Sequence, residues 1–210
     1  MSRLILLALA VSLAASATAQ DLAASPVAVR TALDHVRSQT AVSALTSADV
    51  ADLAVSSAHT SRRSGLTYVY VQQRIEGVDI AGSIVTVAVG RDGRVAHAAG
   101  ELSASTAVAA KALSLTAEAA LARAAALVGE PAPARQATRS LGGAERRTAF
   151  GSVAGTDVEA RLVYEGATDR GLRLAWEVTV PTRDAQHIWV VRVDAQTGEE
   201  LSWMTRSYRE

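Results

Sequence analysis

Four histidines occur in the sequence, and their spacing decides whether they could form a metal centre. They are His35, His59, His97 and His187. Zinc-dependent hydrolases place two histidines one helical turn apart in H-E-x-x-H, where the glutamate activates a water molecule. Here no two histidines lie within one turn, and none is followed by glutamate. The spacing argues against a zinc hydrolase centre and leaves a site assembled from distant histidines as the weaker alternative.

Other reactive patterns are also incomplete. Asp49 and Asp52 could act as general acid and base, but helix capping and solvation explain this pair better. Ser152 lies one position too early for the nucleophile elbow G-x-S-x-G. The chain has no cysteine, and therefore no thiol nucleophile or thiolate metal ligand, and it lacks the glycine motifs that bind phosphate. We predict no catalytic residue, metal ligand or cofactor and a chain that is not an enzyme. An enzyme with an unrecognised site is the third-ranked hypothesis.

The first twenty residues predict export from the cytoplasm. Arg3 supplies a positive charge near the N-terminus and residues 4–13 are apolar. A small-x-small pattern ends at Ala19, just before Gln20. This combination is typical of a secretory signal peptide over residues 1–19. The apolar run is too short to cross a bilayer. We therefore expect a secreted, extracellular or periplasmic protein that has no membrane contact after cleavage.

Composition excludes nucleic acid as the expected partner. The chain has 21 basic and 21 acidic residues, so its formal net charge is zero. No basic patch interleaved with aromatic residues is present to bind a phosphate backbone and stack bases. Because an exported chain without cysteine has no disulfides, its stability must come from packing alone.

Apolar periodicity divides the chain into two runs of strands, each preceded by helix. Apolar residues that recur about every 3.6 residues predict a helix at 26–36, within a lead-in over 20–44, and a second helix at 117–128. A further short helix is predicted after a cap at Thr46 or Ser47. Alternation and turn residues predict strands at 67–75, 78–89, 94–99, 161–164, 172–180, 187–194 and 199–203. Residues 131–148 are rich in Pro, Gly and Arg and predict an exposed loop.

The order of these motifs resembles a known family. Residues 45–100, with the turns Glu76-Gly77 and Gly90-Arg91-Asp92-Gly93, resemble the fungalysin/thermolysin propeptide module. Residues 117–203, with the D-A-Q-T-G-E turn from Asp194, resemble the PepSY-type module that follows it in the same metallopeptidase precursors. Together they predict an α+β fold of two small antiparallel sheets, each packed with helices. The propeptide module would span 45–103 and the PepSY- or cystatin-like module 104–203, with a tail over 204–210.

The resemblance implies a pro-region and not a peptidase. In this family the pro-region assists folding of a secreted fungalysin-type zinc metallopeptidase and blocks its active-site cleft. The zinc ligands and catalytic glutamate of the family have no counterpart here, and the sequence ends at Glu210, near where a catalytic domain would begin. The leading hypothesis is a chaperone and inhibitor that binds a zinc metallopeptidase catalytic domain, as a truncated precursor, a fragment or a free-standing homologue. The alternative is a free-standing extracellular or envelope PepSY-type binding module without a peptidase partner.

Four residues near the end of the chain are candidates for partner contact. Trp189 and Trp203 lie in predicted strands, and Met204 and Tyr208 belong to the tail. Aromatic residues and methionine are enriched at protein interfaces. A half-buried structural role is the competing interpretation for both tryptophans.

Overall fold

The computed structural model describes most of the chain after the predicted signal peptide. The described residues are 22–41, 44–104, 108–110, 113–131, 139–153, 155–167, 171–184 and 186–207. The predicted cleavage site at Ala19 and Gln20, and Tyr208, lie outside these residues.

Within the described residues, strands greatly outnumber helices. The helices are α1 (Pro26–Ser38), a 3₁₀ turn (Gln39–Ala41) and α2 (Ala117–Leu127). The strands are β1 (Leu22–Ala23), β2 (Leu53–Thr60), β3 (Thr67–Ile75), β4 (Val78–Val89), β5 (Val95–Glu101), β6 (Val108–Ala110), β7 (Arg139–Gly142), β8 (Arg147–Val153), β9 (Thr156–Ala167), β10 (Gly171–Pro181), β11 (His187–Asp194) and β12 (Glu200–Ser207).

All of these strands belong to one connected mixed sheet, so the prediction of two small antiparallel sheets packed with helices is wrong. Its main path runs β1-β2-β3-β4-β9-β10-β11-β12. The two halves join where Ile80 of β4 pairs in parallel with Tyr164 of β9. Gly82, at φ 77°, lies within β4 between Ile80, which pairs with β9, and the residues from Ile84 onward, which pair with β5. Local patterns predicted strands at both places but not this pairing, because it joins residues far apart in sequence.

The helix predicted after Thr46 is also absent. Residues 47–50 form a turn, and strand β2 begins at Leu53. The Asp49 carboxylate accepts hydrogen bonds from the Thr46 backbone N–H at 2.7 Å and its hydroxyl at 2.8 Å. The Thr46 hydroxyl also accepts from the Asp49 N–H at 3.4 Å, as the predicted N-cap would, but these contacts close a turn without a following helix.

Part of the predicted loop over 131–148 is a β-hairpin. Strands β7 and β8 pair antiparallel around the turn at 143–146. Gly142, Gly143 and Arg146 all take positive φ there. The glycines that favoured a loop therefore provide the backbone geometry of a hairpin.

Both helices pack on the same face of the sheet. Helix α1 covers an N-terminal core that includes Val69 and Val71 of β3, whereas Ile75 of the same strand packs against the core beneath α2. Since alternate residues of a strand share a face, these three residues place both cores on one side. Alanines of α2, including Ala120 and Ala124, are fully buried and let the helix approach the sheet closely.

Candidate interaction surface on the last strand

Strand β12 forms one end of the sheet. It pairs antiparallel with β11, with Val191 opposite Trp203 and Val190 opposite Met204. In the part of the chain that the structure describes, no strand lies on its other side. An edge of this kind presents backbone N–H and C=O groups that another strand can pair with. At the opposite end the edge strand is β1, which has only two residues and pairs with Thr60 and His59 of β2.

Two large apolar side chains are exposed on this strand. Trp203 is 56% exposed and Met204 is 40% exposed. Neighbouring strand residues point to opposite faces, so one apolar side chain lies on each side of the edge. Trp203 packs edge-on against Trp189, with ring centroids 5.2 Å apart, and Trp189 contacts the core beneath α2. Of the predicted contact residues, Trp203 and Met204 therefore lie on opposite faces of β12, and Trp189 of β11 contacts only Trp203 of these two.

A row of paired charges crosses the face that lacks helices and reaches β12. Arg161 lies 2.7 Å from Asp79 and 2.9 Å from Glu177, and Glu177 lies 2.8 Å from Arg192. Arg192 also donates to the hydroxyl of Ser202 at 3.4 Å. The row thus joins β4, β9, β10, β11 and β12 through side chains. The predicted strand at 172–180 contains Glu177, but local sequence could not align this residue with its partners on other strands.

The electrostatics of this row stabilise its charged form. Burial alone would raise the pKa of the Glu177 carboxyl, but the guanidinium groups of Arg161 and Arg192 outweigh burial and lower this pKa below its ordinary value. Burial opposes the charge of Arg161 as well, yet Glu177 and Asp79 raise the pKa of its guanidinium. Both pKa shifts favour the charged forms of Glu177 and Arg161, whose ion pairs link strands β9 to β11 behind the edge.

A buried amide joins the segments around the centre of the sheet. Gln73 of β3 is fully buried. Its amide nitrogen donates to the carbonyl oxygens of Asp49 at 2.8 Å and Ser103 at 2.9 Å, and its amide oxygen accepts from the Ser103 N–H at 2.8 Å. This contact fixes the turn before β2 and the segment that follows β5.

The residues first considered for chemistry are dispersed. His35 lies on α1, His97 on β5 and His187 on β11, while His59 of β2 stacks against tyrosines of β3. Among the described residues, no three His, Cys, Asp or Glu side chains are grouped to hold a metal ion.

The two candidate aspartates are separately engaged. Asp49 closes the turn at Thr46, and Asp52 accepts from the Gly77 N–H at 2.7 Å. Ser152 lies in β8, outside any strand-to-helix elbow. No described helix is long and apolar enough to cross a membrane.

Comparison with known proteins identifies the segment that carries the central strands. Residues 51–102 match the Fungalysin/Thermolysin Propeptide Motif, and this range contains β2, β3, β4 and β5. The predicted propeptide module is thereby confirmed over these residues. The motif indicates a propeptide role and a non-catalytic pro-region.

A likeness to a solved structure extends over more of the chain. It is the Bacillus megaterium YpeB C-terminal domain, at 10% sequence identity and a TM-score of 0.37, covering 89% of this chain and 68% of that one. No curated protein matches the sequence.

Proposed function

We propose that this protein binds the catalytic domain of a fungalysin-like zinc metallopeptidase, assists its folding and holds it inactive. The observation that carries the proposal is the propeptide motif over residues 51–102. The dispersed histidines and the separately engaged aspartates are consistent with a binding role, since no His, Cys, Asp or Glu cluster among the described residues could hold a metal ion. The PepSY-like module over 104–203 is part of the same proposal, and so is action outside the cytoplasm after cleavage between Ala19 and Gln20.

The proposed contact is the β12 edge. Strand addition would supply main-chain hydrogen bonds to the peptidase. Trp203 and Met204 would supply buried apolar area on the two faces of the added strand, and Trp189 would hold Trp203 in place. Tyr208 and the rest of the 204–210 tail would extend this contact. Because β12 pairs along its length with β11, the edge would act as a preformed template with little ordering cost.

Co-refolding tests the proposal directly. The denatured catalytic domain of a fungalysin-type peptidase from the same organism is refolded with and without this protein, and recovered fold and peptidase activity are measured separately. We expect more folded peptidase in the presence of the protein, together with lower activity until the protein is removed by proteolysis. Equal recovery and unchanged activity in both arms would contradict the proposal and favour the free-standing binding module.

A matched pair of variants tests the contact residues. Trp203→Ser removes an exposed apolar side chain from β12, and Leu141→Ser removes one from β7 that is 41% exposed. We expect Trp203→Ser to weaken inhibition by roughly tenfold or more, as for a central interface tryptophan. Leu141→Ser should leave inhibition unchanged. Equal effects of the two variants would exclude β12 as the contact.

A further inference from the structure

Two turns and the start of α1 enclose a cavity at one end of the N-terminal strands. Thr67 of β3 stands opposite Thr60 of β2 on one side and opposite Val89 of β4 on the other. The turns over 61–66 and 90–94 therefore lie at the same end of the sheet. The cavity between them and α1 has a volume of about 680 Å³.

Positive charge is concentrated at this end. The two turns contain four arginines and a single aspartate, all exposed: Arg62, Arg63, Arg91, Arg94 and Asp92. Arg62 and Arg91 line the cavity. Arg63, Arg91 and Arg94 have no ion-pair partner among the residues that the structure describes. Although the whole chain has a formal net charge of zero, this end therefore attracts anions.

The guanidinium of Arg91 is positioned by the neighbouring turn. Gly65 is buried at φ 71°, and a Cβ added there would lie 2.6 Å from Cζ of Arg91. Only glycine therefore leaves room for this guanidinium. The Gly65 N–H donates to the Ser61 carbonyl at 2.8 Å, and the Gly90 N–H donates to the Arg94 carbonyl at 2.8 Å. Both turns are thus closed, and Arg91 reaches from one to the other at the wall of the cavity.

The rest of the lining favours a peptide over a densely charged polyanion. Val27, which is 58% exposed, and Ala28 provide an apolar wall on the side of α1. Of the described residues that line the cavity, only Asp92 is acidic, and its carboxylate accepts from the Arg94 N–H at 3.1 Å. Closely spaced phosphates would be repelled by this carboxylate and would leave the apolar wall uncovered. A peptide can instead combine separated carboxylates with an aliphatic side chain.

We infer that this cavity binds an extended acidic peptide segment of another protein. Its carboxylates pair with Arg62 and Arg91, whose planar guanidinium groups match a carboxylate through two parallel hydrogen bonds. An aliphatic side chain of the segment covers Val27. The hydroxyl of Ser61 also lines the cavity and accepts from the Ser64 N–H at 3.3 Å, which leaves its own proton for a carboxylate. The site uses no residue of β12 and does not rest on the proposed function.

Fluorescence anisotropy of the signal-free protein tests this inference without any peptidase. The probe is a labelled peptide in which two glutamates flank a leucine, and the matched probe has glutamine at both glutamate positions. We expect saturable binding of the glutamate peptide with a dissociation constant below about 1 mM at about 20 mM salt, weakening toward about 500 mM salt. The glutamine peptide should bind about tenfold more weakly or worse, because it loses the charge-assisted hydrogen bonds.

Matched variants test the residues that line the cavity. Arg62→Gln and Arg91→Gln should each raise the dissociation constant of the glutamate peptide about fivefold to thirtyfold. Val27→Ser should raise it by roughly threefold, because the apolar contact is lost. Arg139→Gln removes the same charge from an exposed position on β7 and should leave the dissociation constant unchanged. Circular dichroism confirms that each variant is folded.

Three results would overturn the inference. The first is equal binding of the glutamate and glutamine peptides, and the second is an Arg91→Gln variant that binds no more weakly than Arg139→Gln. The third is tighter binding of inorganic polyphosphate than of a peptide of equal charge, which would identify a general polyanion surface. None of these results bears on the peptidase proposal, since co-refolding and Trp203→Ser test a contact at β12.

Discussion

At the scale of single residues, Gln73 shows how a polar group is held inside an apolar strand. Alternation along β3 places it on the same face as Val69 and Val71, in contact with the core. Its amide makes three hydrogen bonds to backbone groups of Asp49 and Ser103. A buried amide without partners would cost free energy, whereas a satisfied one specifies which segments meet.

Replacing Gln73 by leucine should destabilise the protein by about 2–4 kcal/mol, because buried backbone groups at Asp49 and Ser103 lose their partners. Urea unfolding monitored by circular dichroism measures this free energy. Gln186→Leu, at an exposed position, is the control and should change it by less than about 0.5 kcal/mol. A Gln73→Leu variant as stable as this control would show that the buried amide contributes nothing to stability.

At the scale of elements, cross-strand charges connect strands whose order is not sequential. Arg161, Glu177 and Arg192 stand directly opposite one another on β9, β10 and β11. Their side chains are 27%, 14% and 12% exposed, so the ion pairs are screened less by solvent than surface pairs. Asp79 extends the row to β4 and so links the propeptide motif to the C-terminal strands by a contact separate from the Ile80–Tyr164 pairing.

The lowered pKa of Glu177 predicts a dependence of stability on pH. A carboxyl with a lower pKa in the folded state adds stability above its unfolded value, near 4.5, and this contribution is lost as pH falls through the folded pKa. Glu177→Gln should therefore lower the free energy of unfolding at pH 7 by about 1–3 kcal/mol. The difference from wild type should shrink as pH falls below 4.5.

Urea titrations at a series of pH values measure that difference. Glu101→Gln, which neutralises an exposed carboxylate at the end of β5, is the matched control. We expect it to follow the wild-type curve closely. A Glu177→Gln curve that stays parallel to wild type through the acid range would contradict the assigned role of the two arginines.

At the scale of the whole molecule, β4 belongs to both cores. Its later residues Val87 and Val89 pack in the N-terminal core with α1, whereas Val78 and Ile80 pack in the core beneath α2. A strand shared in this way couples the two halves, because neither core is complete without it. We expect the described part of the chain to unfold as one cooperative unit.

Ile80→Ala should lower the free energy of unfolding by about 2–5 kcal/mol, the range for a buried isoleucine truncated to alanine. The same decrease in the free energy of unfolding should be measured by two probes. Tryptophan fluorescence reports on the C-terminal half, since all three tryptophans follow residue 175, and hydrogen exchange of β3 amides reports on the N-terminal half. Ile84→Ala, at a half-buried position of β4, is the control and should lower the free energy of unfolding by less than Ile80→Ala does. Two separate transitions, with only the tryptophan signal shifted, would show that the halves unfold independently.

Much of the strand structure could be predicted because its signal is local. Strands β3, β4 and β11 have the bounds that alternation and turn residues predict, and α2 begins after Thr116, whose hydroxyl accepts from the Ala119 N–H. The capping residues near Asp49 led to the wrong prediction of a helix after Thr46, because a capped turn has the same local sequence signal as the start of a helix. Of the candidate contact residues, Trp203 and Met204 could be named from type and position, but their exposure could not.

The sequence by itself determined seven of the strands at least in part, that residues 51–102 carry a propeptide motif, and that no complete catalytic motif is present. Only the tertiary structure decided that the strands form one sheet, that charges on four of them pair, and that β12 is an edge. The reason is physical. Alternation and turn preference act between near neighbours in the chain, whereas the pairing of Ile80 with Tyr164 depends on packing between residues brought together only by folding.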